Sequence, residues 1–102
     1  MRVAWDEAKN FANQRNHGIS FEEAADLFAS GSDYVEIFDE AHSVSEDRFI
    51  AIGPIARGLI LVVWTERDDE TIRIISARWA SGREQALYRA YMDRSLWLRF
   101  RS

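Results

Sequence analysis

The side chains in this sequence that are best suited to catalysis are basic. They form a set of one lysine, one histidine and five arginines: Lys9, Arg15, His17, Arg48, Arg57, Arg73 and Arg78. Cleavage of an RNA phosphodiester requires one proton to leave the 2′-hydroxyl and another to reach the departing 5′-oxygen, while the phosphate gains charge. Arginine stabilises that charge, and histidine transfers protons near neutral pH. The set therefore suits RNA cleavage without a metal ion or any other cofactor.

Other catalytic signatures are missing from the sequence. It has no Gly-rich phosphate loop and no His-Glu-x-x-His motif, and its only histidines are His17 and His42. The acidic runs Asp6–Glu7, Glu22–Glu23 and Asp68–Glu70 fall at predicted helix starts and in a predicted turn. Helix capping and solvation explain them there, so we expect no metal site.

The charge of the chain is unevenly distributed around its net value of −4. Residues 1–71 hold six basic and 15 acidic side chains, whereas residues 72–102 hold seven arginines and two acidic residues. Guanidinium groups suit phosphate or carboxylate recognition, although a solvated helix face explains the charge alone equally simply. Direct DNA binding is a weaker alternative, because specific DNA binders are usually basic overall and no helix-turn-helix pattern is visible.

Length and composition predict a single domain over residues 1–102. Hydrophobic residues make up 47% of the chain and aromatic residues 13%, which is enough for one core. The absence of cysteine excludes disulfides and thiolate chemistry. The longest apolar run, Leu59 to Trp64, is far shorter than the roughly 18 residues of a membrane span, and no signal-peptide core precedes it. We therefore expect a cytoplasmic protein that does not bind membranes.

The hydrophobic periodicity predicts an α+β domain with the element order β-α-α-β-β-β-β-α. The expected strands are 2–5, 34–38, 48–52, 59–65 and 71–78, and the helices begin after the capping residues Asp6, Ser20 and Ser81. Gly18 and Gly31 are expected to end the first two helices. Turns at 53–58 and 67–70 make the main four strands an antiparallel sheet, in which 59–65 is a central strand buried on both faces.

The spacing of the candidate residues limits what they can do together. Lys9 and His17 are eight residues apart and share a helix edge only if the first helix runs that far. Arg73 and Arg78 are five residues apart, so a regular strand would place them on opposite faces unless it ends or bulges between them. Structural roles also remain open, because His17 could bind carbonyls at a helix end and Arg48 could pair with a carboxylate.

Four sequence blocks follow one another along the chain. In order they are Trp5-Asp6-Glu7-Ala8-Lys9-Asn10-Phe11-Ala12-Asn13, His17-Gly18-Ile19-Ser20-Phe21-Glu22-Glu23-Ala24, Glu46-Asp47-Arg48-Phe49-Ile50-Ala51-Ile52-Gly53 and Arg73-Ile74-Ile75-Ser76-Ala77-Arg78, followed by Arg83, Glu84 and Tyr88. These blocks resemble the BrnT family, keep the order of that family and together cover about residues 2–91.

The resemblance implies a small ribonuclease-toxin fold of the RelE-like type and a type II toxin that cleaves RNA and inhibits translation. It also implies a BrnA-like antitoxin with a ribbon-helix-helix module, through which alone the complex would bind operator DNA. A heterotetramer, with two toxins bridged by antitoxins, is the assembly that the resemblance suggests.

The resemblance also assigns roles to individual residues. It implies that Lys9, His17, Arg48 and Arg78 are catalytic, and we expect Arg73 and Arg83 to bind the substrate.

The alternative is a non-catalytic protein-binding module, a decayed toxin that acts only through complex formation. The acidic net charge favours it, as do the aromatic side chains near the C-terminus: Tyr88, Tyr91, Trp97 and Phe100. Residues 92–102 are expected to form a helical extension beyond the usual end of the family.

Overall fold

The order of helices and strands in the computed structural model is the predicted one. The model describes residues 2–68 and 70–101, with side chains as far as residue 94, so Trp97 and Phe100 lie outside the described side chains. The elements are β1 Arg2–Ala4, α1 Glu7–His17, α2 Phe21–Ala29, β2 Val35–Phe38, β3 Arg48–Ile55, β4 Gly58–Arg67, β5 Thr71–Trp79 and α3 Gly82–Arg101, with a 3-10 turn at Glu40–His42 before β3.

The sheet contains five strands instead of the predicted four, in the order β1-β5-β4-β3-β2. Strands β2 to β5 are antiparallel, as expected from their short connections. The additional strand is β1, which pairs in parallel with β5, with Arg2 opposite Thr71 and Ala4 opposite Arg73. A three-residue strand gives little pattern in the sequence, and its partner lies almost 70 residues away. The sheet is therefore mixed, and β4 is its central strand.

Local sequence signals set the ends of the helices. Asp6 Oδ1 accepts hydrogen bonds from the amides of Ala8 (2.8 Å) and Lys9 (3.3 Å), and Gly18 ends α1 with φ of 72°. Ser20 Oγ accepts from the amide of Glu23 at 3.0 Å. These caps satisfy amides and carbonyls that a helix cannot pair internally, and the predictions made for them are confirmed.

The predicted turn at 53–58 is shorter than expected. Strand β3 continues through Pro54 to Ile55, which pairs with Gly58, so only two residues turn the chain. Gly53 lies inside the strand, where an added Cβ would come within 2.6 Å of a side-chain carbon of Leu27 and 2.7 Å of Tyr34. Glycine is required there for close packing under α2. The prediction of a turn at Gly53 is therefore wrong, because this glycine serves packing and not a change of chain direction.

Apolar side chains pack on both faces of the sheet. The face beneath α1 and α2 holds the main core: Ile19, Phe21, Ala24, Leu27, Phe28, Ala51, Ile55, Ile60, Val62, Trp64, Ile72, Ile74 and Ala77. The opposite face holds a smaller cluster of Val35, Ile52, Leu61 and Ala80, on which Tyr88 of α3 packs. Strand β4 contributes to both clusters, as predicted for a central strand.

A buried asparagine ties α1 to the edge of β5. Strand β1 ends opposite Arg73, which leaves the outer backbone groups of Ala77 without a neighbouring strand. Asn13 replaces that strand: its amide nitrogen donates to Ala77 O (2.8 Å) and Ile19 O (2.9 Å), and its oxygen accepts from Ala77 N (3.1 Å). The polar backbone of β5 is thereby satisfied inside the core.

A bulge reverses the alternation of side chains along β5. Val63 pairs with Ser76 and Trp64 with Ile74, so Ile75 is an extra residue. Ile74 and Ala77 consequently both face the main core, although three positions separate them. Because the phase changes between them, Arg73 and Arg78 lie on the same face of the sheet, the face opposite α1 and α2.

Candidate nucleic-acid interface

Two arginines lie across one rung of the sheet face opposite α1 and α2. Arg48 of β3 is opposite Thr65 of β4, and Thr65 is opposite Arg73 of β5. Their chain neighbours Phe49 and Ile74 pack into the main core, so these three side chains point to the other face. Two strand spacings separate the arginines, about 10 Å between Cα atoms. We call Arg48, Thr65 and Arg73 the arginine row.

The two guanidinium groups of the arginine row have few partners in the protein. Arg73 is partly buried and takes part in none of the ion pairs found among residues 2–68 and 70–94. Arg48 Nη2 lies 3.7 Å from a carboxylate oxygen of Glu46, while its Nε is buried without a hydrogen-bond partner. Thr65 is 3% exposed and donates from Oγ1 to the carbonyl of Asp47. The row therefore presents two cations with little pairing inside the protein, an arrangement that suits a phosphate.

Arg78 lies at the other end of the same face. It is opposite Leu61, four residues along β4 from Thr65, which corresponds to about 13 Å. Its two terminal nitrogens donate to the two carboxylate oxygens of Glu84 at 2.8 Å each. These hydrogen bonds lower the pKa of Glu84 to about 2 and raise the pKa of Arg78. Arg78 thus anchors the start of α3.

The predicted cap at Ser81 is confirmed, and it forms a capping box with Glu84 whose carboxylate has a further partner. Glu84 N donates to Ser81 Oγ at 3.3 Å, and Ser81 N donates to Glu84 Oε1 at 2.8 Å. The same carboxylate binds Arg78. Arg83, the other predicted substrate-binding residue, is exposed in the first turn of this helix.

Lys9 and His17 belong to α1, on the other side of the sheet from the arginine row. Both side chains are exposed. Helix α1 extends to His17, so the two residues belong to one helix, as sharing an edge of it requires. Eight residues of helix nevertheless separate their Cα atoms by about 12 Å along the axis. The structure therefore brings Arg48 and Arg73 together, places Arg78 farther along the same face, and leaves Lys9 and His17 on a different surface.

Arg57, a member of the basic set, makes contacts that hold parts of the fold together. Its Nε and Nη2 donate to the carboxylate of Glu23 at 2.6 Å each, and Nη2 also donates to Gly18 O at 2.7 Å. Its guanidinium lies 5.0 Å from the ring centre of Trp79. The hydrogen bonds from Arg57 lower the pKa of Glu23, and the contacts with Glu23 and Gly18 join the β3–β4 turn to both helices. His42, the second histidine, pairs with Asp39 at 2.9 Å.

Sequence reasoning missed Arg67. The sequence predicts a turn at Arg67, but β4 extends to this residue. Because Arg67 lies two residues after Thr65, its side chain is on the face of the arginine row. Arg67 and Arg73 line a cleft of about 320 Å³ beside β1. Strand β4 continues to Arg67, and this extension could have identified the residue, but the turn-forming residues that follow obscure it in the sequence.

Neither a metal site nor a membrane-spanning helix was found in the described part of the chain. Within residues 2–68 and 70–94, no three histidine, aspartate or glutamate side chains come together as metal ligands. The same residues include no helix that is long and apolar enough to cross a bilayer.

Comparison with known proteins identifies the class of this small α+β domain. A family model described as the ribonuclease toxin, BrnT, of type II toxin-antitoxin systems matches residues 5–84. The class is therefore that of ribonuclease toxins. The crystal structure of the Brucella abortus ribonuclease toxin BrnT is similar, with a TM-score of 0.62 and 28% sequence identity over 79% of this chain and 97% of that one. Among curated proteins, none matches the sequence significantly. The chain belongs to the BrnT family.

Proposed function

We propose that this chain is an endoribonuclease toxin that cleaves RNA at the arginine row, needs no metal ion, and inhibits translation in the cytoplasm. Membership of the BrnT family supports the general activity. The observation that carries the proposal is the pair of guanidinium groups of Arg48 and Arg73 on one rung of the sheet, where Arg48 has an ion pair of 3.7 Å with Glu46.

The arginine row supplies the electrostatic part of the reaction. A phosphate above Thr65 would receive donors from both arginines, and those donors would oppose the charge that develops on its oxygens during attack by the 2′-hydroxyl. Because the row is built on strands, the donors are held in place before the RNA binds.

The remaining catalytic candidates would act at the margins of this site. Lys9 lies in the first turn of α1, close after Asp6, and an RNA strand that crossed β1 from the row would pass Lys9 before His17, two helical turns farther along. Arg78 would contact a phosphate by exchanging one of its hydrogen bonds to Glu84. Arg83, exposed one residue before Glu84, would bind the RNA strand on that side.

The proposed partner is a BrnA-like ribbon-helix-helix antitoxin, which would neutralise the toxin and carry the complex to operator DNA as a heterotetramer. Family membership in a type II system supports a protein partner. A cleft of about 240 Å³ between β2 and α3, lined by Val35, Leu87, Ala90, Tyr91 and Arg94, offers an apolar surface. Exposed apolar surfaces of this kind are typical of protein interfaces.

The test combines growth arrest with cleavage by the purified protein. The chain is induced alone and with its antitoxin, and the pure protein is incubated with RNA in the presence of EDTA. We expect Arg48→Ala and Arg73→Ala each to reduce the cleavage rate about 100-fold or more, because each removes a donor to the phosphate. Arg89→Ala, at an exposed position of α3, is the matched control. Full activity of both row variants would refute the assignment.

A non-catalytic binding module is the second candidate. The engagement of Arg78 by Glu84 favours it, as does the position of Lys9 and His17 across the sheet. This candidate predicts that the folded protein binds the antitoxin but neither cleaves RNA nor arrests growth. Arrest that the antitoxin relieves would exclude it.

A further inference from the structure

We propose that the cleft beside Arg73 binds one nucleotide of the RNA and prefers a base with an exocyclic amino group. This inference rests on the proposed function, because the nucleotide is the neighbour of the phosphate held at the arginine row. The cleft, called here the Trp5 cleft, has a volume of about 320 Å³ and is lined by Ala4, Trp5, Asp6, Glu7, Arg67, Thr71 and Arg73.

The strand register makes the Trp5 cleft continuous with the arginine row. Arg73 is opposite Thr65 on one side and Ala4 on the other, so the rung that holds the two arginines continues into the wall of the cleft. Arg67 is opposite Thr71, the next position of the same face. Arg73 therefore belongs to both sites, and a nucleotide in the cleft would directly adjoin a phosphate at the row.

The Trp5 cleft holds cations and carboxylates that do not pair with one another. Arg67 and Arg73 line it together with Asp6 and Glu7, yet every ion pair found among residues 2–68 and 70–94 joins other residues. Each carboxylate uses one oxygen locally, since Asp6 Oδ1 caps α1 and Glu7 Oε1 accepts from Trp5 Nε1. Each keeps its second oxygen, so the cleft suits a ligand with an anionic end and a donor end.

A ribonucleotide has this distribution of groups. Its phosphate suits Arg67 and Arg73, and a base can stack on the indole of Trp5. The amino group of cytosine, adenine or guanine can donate to a carboxylate oxygen of Glu7, whereas uracil has no such group. The Trp5 ring is held by an edge contact with Phe21, at 6.3 Å between ring centres, and by its hydrogen bond to Glu7. The stacking surface and the acceptor are thus positioned before binding.

This site gives a role to the Trp5-Asp6-Glu7 segment that opens the family-like motif. The cleavage chemistry at the arginine row does not use Trp5 or Glu7. Asp6 caps α1 and Trp5 packs against the main core, so the cleft adds a ligand-binding role to residues that also have structural ones.

The experiment follows the indole N–H resonance of Trp5, assigned with Trp5→Phe, during NMR titrations of the full chain with cytidine 3′-monophosphate and uridine 3′-monophosphate. We expect both to shift the resonance, with cytidine binding about fivefold tighter or more. Glu7→Gln should abolish the preference, because an amide can turn its NH₂ group toward the carbonyl of uracil. Glu40→Gln, an exposed change of equal charge on the 3-10 turn, should preserve it. Arg67→Ala should weaken both ligands equally.

Equal affinities for the two nucleotides, an unshifted Trp5 resonance, or a cytidine preference that survives Glu7→Gln would overturn the inference. The RNA cleavage assay separates this result from the proposed function. RNA cleavage by a protein that shows no nucleotide preference at Trp5 would refute only the proposed nucleotide site. A nucleotide preference at Trp5 in a protein that cleaves no RNA would refute only the proposed ribonuclease function.

Discussion

Replacing Asn13 by alanine should destabilise the protein severely, because this one side chain satisfies three buried backbone groups. It is 6% exposed and pairs with the carbonyl of Ile19 and with both the carbonyl and the amide of Ala77. A hydrogen bond contributes about 0.5–1.5 kcal/mol net, and a buried group left without a partner costs about 1–3 kcal/mol. Partial relaxation of the helix reduces the sum, so we expect Asn13→Ala to lower the free energy of unfolding by about 3–5 kcal/mol.

The assay is urea denaturation followed by tryptophan fluorescence, with Asn16→Ala as the control. Asn16 lies in the same helix but is exposed, so its replacement should change the stability by less than about 0.5 kcal/mol. The loss at Asn13 represents a large part of the roughly 5–15 kcal/mol typical of a domain. If Asn13→Ala falls within about 1 kcal/mol of the control, these hydrogen bonds do not hold α1 to β5 and the reasoning is wrong.

Two further predictions concern Glu84 and Gly53. The pKa of Glu84 is lowered from 4.5 to about 2 by Arg78, so the pair should stabilise the protein above pH 4.5 and lose that contribution as the pH falls toward 2. Glu84→Gln should remove this pH dependence and lower the free energy of unfolding by about 1–2 kcal/mol at pH 7, a value reduced because solvent screens the partly exposed Arg78. An acid denaturation profile that the substitution leaves unchanged would contradict the pairing. Gly53→Ala should cost about 1–3 kcal/mol in the same assay, because the new methyl group overlaps two side chains, and a neutral effect would show that α2 moves freely over β3.

Features determined by adjacent residues or by short connections were predictable, whereas pairings and registers between distant segments were not. Asp6, Gly18 and Ser81 could be assigned as caps because a cap depends on a few adjacent residues. The parallel pairing of β1 with β5 depends on residues far apart in sequence, and three residues carry no period. The turn prediction at Gly53 was wrong because a glycine in a sequence can indicate either a turn or a close contact. The sequence does not show that Leu27 and Tyr34 leave no room for a side chain at this position.

The candidate site was only partly predictable for the same reason. Arg48 and Arg73 could be named as candidates, but their common rung depends on the register of three strands. The sequence does not reveal the bidentate partner of Arg78, because Glu84 also fits the capping box that begins at Ser81. The place of Arg67 depends on the extension of β4, and the Trp5 cleft depends on the pairing of β1 with β5.

The extra residue Ile75 also determines how β5 can change in length. Deleting it would leave a regular strand with Ala77 still facing the main core and Arg78 the opposite face. Inserting one more residue between Ile74 and Ala77 would disturb the strand, because Arg78 would turn into the core if the bulge is kept and the register with β4 would shift if it is not. The loop after β2 faces no such conflict and can gain or lose residues without reversing a face. Among relatives, insertions should therefore accumulate in that loop and be excluded from the second half of β5, where a single deletion at the bulge is tolerated. A comparison of many family sequences can examine this directly.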